Sequence, residues 1–260
     1  MKKYRKRIAD DILARKLEGK GAVLIEGPKW CGKTTTAEQI AASVLYMDDP
    51  EKKEQNISMS ELSPKRLLKG ETPRLIDEWQ LAPKLWDAIR FEVDHRGELG
   101  QFILTGSAVP ADTKDVTHSG TGRFTWLTMR PMSLYESGDS TGEVSLKDLF
   151  DGQKEVDGEA DITIERLAFL TCRGGWPQAI DMREDIALDQ ARDYSTVRLR
   201  LCPLGYESRH HSYKKTNNTQ KGDVCFFMAE DMGLEPTGLL HLTRFPGELL
   251  SHSVNPPSFY

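Results

Sequence analysis

The sequence predicts an α/β fold, a five-stranded parallel sheet flanked by helices, with its chemistry gathered at one edge. Three observations lead there. Short apolar runs alternate with stretches of helical periodicity through the first half of the chain. A glycine-bounded loop, Gly27-Pro28-Lys29-Trp30-Cys31-Gly32-Lys33-Thr34, follows the first apolar run and precedes a helical stretch. Gly27, Asp77 and Ser107 each fall at or just past the end of a predicted strand, which is where ligands of such sheets bind.

The elements follow in order. Ile8, Ile12, Leu13 and Leu17 recur at helical spacing, and Gly19 is a stop signal. Ala22 to Glu26 reads as a buried strand, Thr34 to Ser43 as a helix and Val44 to Met47 as a second strand. Residues 51–59 are polar and give no element; Ser60 to Gly70 suits a short helix. Arg74 to Glu78 is a third strand. Leu81 to His95 carries Leu85, Trp86, Ile89 and Val93 on one face, so it is an amphipathic helix. Gln101 to Ser107 is a fourth strand and Arg123 to Met129 a fifth, with a polar, glycine-containing loop over 111–122 between them. Beyond Asp139 the pattern changes to a polar, acidic stretch containing a short helix, Leu146 to Phe150. Two further helices follow, Asp161 to Cys172 with Ile164, Leu167, Ala168 and Thr171 on one side, and Arg183 to Thr196. Gly174-Gly175-Trp176-Pro177 separates them.

Composition narrows the classes. The chain has 260 residues, 38% of them hydrophobic and 29% charged, which suits a globular protein rather than a disordered one. No apolar run spans a bilayer, and no signal-peptide core follows the basic start, so a cytoplasmic protein is expected. A net charge of −5 argues against a generic polyanion binder. Residues 1–20 nevertheless hold eight Lys or Arg against three Asp or Glu, compatible with a solvated helix face or with an arm that touches DNA. Cys31, Cys172, Cys202 and Cys225 form no metal-binding spacing and read as reduced thiols.

The chemistry starts in the loop. A phosphate needs several backbone N–H donors around a small concavity, and glycines at both ends let the chain curl that tightly. Gly27, Pro28, Lys29, Trp30, Cys31, Gly32, Lys33, Thr34 and Thr35 form the expected binding set. Lys33 supplies a point charge for β- and γ-phosphates, and the Thr34 hydroxyl is a ligand for Mg²⁺. Trp30 suits packing beside the loop or stacking on a base. Cys31 is either a small packed thiol or, near Lys33 and a helix start, one with a lowered pKa. Leu75-Ile76-Asp77-Glu78 ends a strand in two carboxylates: Asp77 for Mg²⁺ through water, Glu78 to orient and polarise an attacking water. Ser107 offers a hydroxyl to the γ-phosphate or that water. Arg123 is either a surface charge or a group presented to a neighbour's transition state.

Taken together these segments resemble the AAA+-like predicted ATPases of bacteria and archaea, which carry a C-terminal domain of uncharacterised role. The resemblance rests on residues 25–34, on Leu75-Ile76-Asp77-Glu78-Trp79-Gln80, and on Phe102 to Ser107. It also rests on Gly122-Arg123, Met129-Arg130-Pro131-Met132-Ser133-Leu134-Tyr135-Glu136 and Gly174-Gly175-Trp176-Pro177. It implies an AAA+-type phosphate-loop domain over 1–136, a linker over 137–160 and the start of a small helical domain over 161–196. It further implies ATP and Mg²⁺ as cofactors, Ser107 at the sensor position and Arg123 near the arginine-finger position, hence self-association. A protein partner or DNA is a further expectation, and a membrane is not.

The expected function is Mg²⁺-dependent ATP hydrolysis coupled to conformational change. The alternatives are a nucleotide-gated nucleic-acid-binding module with little turnover and a small-molecule kinase. The resemblance ends near Tyr194. Residues 197–260 hold four of the six His and five of the 13 Pro and lose periodicity, so an incomplete helical domain and a non-native tail, from a truncated or frameshifted reading frame, are expected.

Overall fold

A computed structural model of the chain describes residues 3–106, 120–152 and 157–201. Residues 1–190 form one compact unit and 191–260 a second. Ser107 and the tail beyond Leu201 lie outside the described residues.

In the first unit five strands form one parallel sheet: β1 (Ala22–Glu26), β2 (Ser43–Tyr46), β3 (Arg74–Asp77), β4 (Phe102–Thr105) and β5 (Phe124–Thr128). The spatial order is β2-β3-β4-β1-β5, with every neighbouring pair parallel. The order inserts β4 between the strand that feeds the glycine loop and the strand that ends in Asp77. Register then sets Tyr46, Asp77, Thr105, Ile25 and Leu127 in one row across the carboxyl edge.

The central strands β1, β3 and β4 are buried on both faces, which is why they read as continuous apolar runs rather than as alternation. On one face Ala22, Leu24, Ile76, Phe102 and Leu104 pack with Leu85, Trp86, Ile89 and Val93 of α5 (Leu85–Arg96). These four helical residues are the predicted stripe. The predicted start at Leu81 moves later because Trp79–Leu81 forms a 3-10 turn before Pro83. The helix stops at Gly97, whose left-handed φ of 66° lets its N–H return to the Val93 carbonyl. Trp86 stacks on Phe124 with ring centroids 4.0 Å apart, tying α5 to β5.

Helix α1 (Ile8–Gly19) turns Ala9, Leu13 and Leu17 inward, whereas Ile8 and Ile12 are exposed, so the buried stripe is rotated from the one read in the sequence. Helix α2 (Lys33–Glu38) is shorter than the expected 34–43. The next helix, α3 (Lys53–Leu62), lies mostly in residues 51–59, which gave no element, and takes in the start of the helix expected over Ser60 to Gly70. Its buried residues are Asn56 and Ser60, so it has no apolar periodicity to read. Asn56 Nδ2 donates to the Tyr46 carbonyl at 3.2 Å, satisfying the amide it buries. Pro64 opens α4 (Pro64–Leu67) as a separate piece.

After β5 come α6 (Leu134–Ser137), α7 (Leu146–Phe150), α8 (Ile164–Arg173) and α9 (Glu184–Leu201). The α7 span is the one expected. Helix α6 is a capping box: the Glu136 N–H donates to Ser133 Oγ at 3.2 Å, and the Ser133 N–H donates to Glu136 Oε2 at 2.8 Å. Helix α8 buries Leu170 and Arg173, while Ile164 and Leu167 are exposed, against the predicted face. Cys172 is disulfide-bonded, so the expectation of a reduced thiol fails there; Cys31 is free.

Candidate nucleotide-binding site

The loop leaves the carboxyl end of β1. Gly27 takes φ 151°, and a Cβ there would stand 2.1 Å from the Met129 carbonyl oxygen, so no other residue fits without moving the segment after β5. Gly32 takes φ 100° and caps the N-terminus of α2. Trp30, with φ 67°, is a non-glycine residue in the left-handed region, and its side chain is half exposed. Lys29 and Thr35 are exposed; Pro28 and Thr34 are half-buried.

Lys33 is buried. Its Nζ donates to the Gly27 and Pro28 carbonyls, both at 2.9 Å. The ammonium thus lies across the loop, held by two neutral acceptors that an anion can outcompete. Cys31 is fully buried with Sγ 3.8 Å from the Met129 carbonyl. Burial pushes its thiol above the usual range, and the charges of Lys33 and Arg7 offset that only in part. The lowered-pKa reading of Cys31 is therefore corrected, and the packed thiol stands.

Across β4, Asp77 is buried at the end of β3. Thr34 Oγ1 donates to Asp77 Oδ1 at 2.8 Å, and Thr105 Oγ1 donates to the same oxygen. The expected Mg²⁺ pair, Thr34 and Asp77, is therefore in contact. A hydroxyl and a carboxylate on adjacent walls are hard oxygen donors that fit Mg²⁺, which binds through one or two carboxylates, phosphate oxygens and water rather than an all-protein cage. No cluster of three His, Cys, Asp or Glu suited to a metal occurs among the described residues. The sequence points to Ser107 rather than to Thr105 at this strand end. Only the register of β4 against β3 reveals it, because Thr105 pairs directly with Asp77.

Glu78 follows with φ 53° and ψ 44°, left-handed for a branched-free acidic residue and costing about 1 kcal/mol. That kink carries it out of the strand. Buried Trp79 anchors the far side, and Gln80 Nε2 donates to Glu78 Oε2. A Cβ on Gly106 would lie 2.4 Å from Gln80 Oε1, so Gln80 fills the space between Glu78 and the end of β4.

Arg123 is elsewhere. The Ala22 N–H donates to its carbonyl at 3.1 Å, so it sits beside the start of β1, at the amino edge of the sheet. The length of β1, roughly 16 Å, separates that edge from the loop. Its Nε donates to Asp94 Oδ1 of α5 at 2.7 Å. Within its own chain Arg123 is thus not brought to Gly27, Lys33, Asp77 and Glu78.

Three of the N-terminal basic residues are paired within the chain. Arg5 pairs with Asp181, Lys6 with Asp11 and Arg7 with Glu136. Arg7 is buried and donates through Nη1 to the Cys31 carbonyl at 2.8 Å. Nothing in the run Lys2 to Arg7 distinguished this one residue.

A model of the AAA domain family matches residues 19–138. No curated protein matches the chain. Among solved structures the chain is similar to one titled "Structure of C. elegans PCH-2", with 13% identity, a TM-score of 0.33 and coverage of 86% of this chain; it spans 65% of that one. The family match takes in the glycine loop, Asp77 and Glu78, β4, and β5 with the Glu136 cap. Residues 19–138 thus match an AAA domain, in keeping with the α/β phosphate-loop fold around the glycine loop.

Proposed function

We propose that this protein binds ATP at the 27–35 loop and hydrolyses it, using the released energy to change conformation. The observation that supports this most is the triad of contacts at one sheet edge: Lys33 across the loop carbonyls, and Thr34 against Asp77. On this reading, Lys33 exchanges its two carbonyl partners for β- and γ-phosphate oxygens. Thr34 and Asp77 hold Mg²⁺, whose charge, when it is bound, offsets that of the phosphates. Glu78 orients a water in line with the γ-phosphorus and accepts its proton. The bond from the γ-phosphorus to the β–γ bridging oxygen breaks, and ADP and inorganic phosphate leave. Ser107 is assigned the γ-phosphate or the lytic water.

Arg123, remote from its own loop, is assigned to a neighbouring copy's nucleotide, which makes a homo-oligomer part of the proposal. Cytoplasmic location is retained as part of it; no helix among the described residues is long and apolar enough to cross a membrane. A DNA-binding arm finds less support, because Arg5, Lys6 and Arg7 each have an acidic partner within the chain.

The test is phosphate release from ATP and GTP with Mg²⁺, using wild type, Lys33→Ala and Glu78→Gln. Wild type releases phosphate, Lys33→Ala binds no nucleotide, and Glu78→Gln binds without turnover. Phosphate transfer to a metabolite with no free phosphate would replace hydrolysis by the kinase reading.

A further inference from the structure

Arg7 lies before the matched stretch of 19–138, yet it is built into the phosphate loop. The residue is 4% exposed. Its guanidinium serves three segments at once. Nη1 donates to the Cys31 carbonyl at 2.8 Å, Nη2 to the Arg130 carbonyl at 2.8 Å, and Nε to Glu136 Oε1 at 3.0 Å. Glu136 is itself buried and also receives the Ile8 and Ser133 N–H groups.

A buried ion pair adds little net stability over apolar packing, because desolvation offsets attraction. Stability alone is thus a weak reason for this arrangement. Its directional consequence is sharper. In a trans peptide the C=O and the N–H point in opposite directions. Holding the Cys31 carbonyl toward Arg7 therefore turns the Gly32 N–H to the other side of the same peptide. That peptide sits in the loop whose N–H groups are its means of gripping phosphate. The strap around Arg7 is anchored on both flanks. Tyr4 Oη donates to Asp10 and lies 3.1 Å from Thr36 Oγ1, one turn beyond the loop. Arg5 donates to the Ser137 carbonyl at 3.2 Å.

We infer that Arg7 is a positioning residue for the nucleotide phosphates: it fixes the Cys31–Gly32 peptide in the orientation that binding requires. This rests on the loop binding ATP. The effect falls on ground-state affinity rather than on the chemical step, since the phosphates beside this peptide are held before and during transfer alike.

The experiment uses the full chain and measures the Kd of a fluorescent ATP analogue with Mg²⁺, together with kcat, KM and Tm. Arg7→Ala weakens Kd by about 10–100-fold, the equivalent of one charge-assisted hydrogen bond, and leaves kcat at saturation within about 3-fold. Arg7→Lys, which keeps the charge but loses the planar fork, falls between wild type and Arg7→Ala. Glu136→Gln lowers Tm but keeps Kd near wild type, because the contact to the Cys31 carbonyl remains. Arg74→Ala removes a half-buried arginine bonded to Leu67 and Ser43 at the opposite edge and also spares Kd.

An unchanged Kd in Arg7→Ala alongside a lowered Tm would overturn the inference. So would equal affinity losses in Arg7→Ala and Arg74→Ala, or a loss in Glu136→Gln as large as in Arg7→Ala. Should Arg7→Ala fail to fold, Arg7→Lys decides it: a wild-type Kd there overturns the positioning role. A wild type that binds no ATP refutes the nucleotide reading itself, and does so before any variant is compared.

Discussion

Thr34 and Asp77 meet across the sheet, the Thr34 hydroxyl donating to Asp77 Oδ1 at 2.8 Å. One residue comes from the start of α2 and the other from the end of β3, with β4 between their strands. The two groups that would share a cation are therefore in contact, and the hydroxyl of Thr105 holds the carboxylate from a third side.

That contact makes the Thr34 hydroxyl separable from the Thr34 methyl. Thr34→Ser keeps Mg²⁺-dependent turnover within a few-fold. Thr34→Ala and Asp77→Asn each lower kcat by about 10²–10³-fold, and both raise the Mg²⁺ concentration needed for half-maximal rate. Magnesium titrations at fixed ATP read this directly.

Gln80 holds the carboxylate that is assigned to the attacking water. Gln80→Leu removes that tether while filling similar space. Turnover is expected to change by about 10-fold with KM within about 2-fold, against a loss of at least ~10²-fold in Glu78→Gln. A change confined to KM would show instead that Gln80 serves binding.

Gly27 faces the Met129 carbonyl with no room for a methyl group. Gly27→Ala must either push the segment after β5 away or leave its positive φ. We expect a loss of more than about 2 kcal/mol in urea unfolding, with nucleotide binding lost at the same time.

Acid sensitivity should centre on the junction after β5. Burial raises the carboxyls of Glu136 and Asp139, but their hydrogen bonds outweigh it. The Ser133 and Ile8 N–H groups and Arg7 hold Glu136 below its ordinary 4.5. Ser137, Arg166 and Arg173 hold Asp139 below its ordinary 3.8. A carboxyl whose folded pKa is depressed adds stability that is complete above the unfolded value and is lost as pH falls through the folded one. The contribution is therefore full at pH 7 and declines below about pH 4.5. Glu136→Gln and Asp139→Asn should lower the urea midpoint at neutral pH and flatten its fall from pH 5 to pH 3. A wild-type slope in both variants would show that other carboxyls drive the acid transition.

Arg123→Ala should leave nucleotide Kd unchanged, since the side chain pairs with Asp94 at the amino edge. If it acts on a neighbour, turnover falls by about 10³-fold, and wild-type activity per molecule rises with protein concentration. Concentration-independent turnover, with Arg123→Ala as active as wild type, removes that role.

The three central strands were legible because both their faces are buried, so that Ala22 to Ile25, Leu75-Ile76 and Phe102 to Leu104 stand out as unbroken apolar runs. Gly27 to Thr34 and Asp77-Glu78 were legible for a related reason: residues needed at a strand end come directly after such runs. What escaped depended on partners distant in sequence. Helix α3 buries Asn56 and Ser60, whose hydrogen bonds, to Tyr46 and Ile57, replace an apolar stripe. Thr105 gained its place from register against Asp77, which no local pattern encodes. Helix α1 buries Ala9, Leu13 and Leu17 and leaves Ile8 and Ile12 exposed, a choice that apolar spacing alone does not encode.

The strap formed by Tyr4, Arg5 and Arg7 changes where this domain can be cut. Family likeness starts at residue 19, and a protein trimmed there would keep every residue of the glycine loop. It would also lose the guanidinium on the Cys31 carbonyl and the tyrosine beside Thr36. Glu136 would then be a buried carboxylate stripped of its counter-charge. Recombinant versions of this domain should therefore retain Tyr4, Arg5 and Arg7.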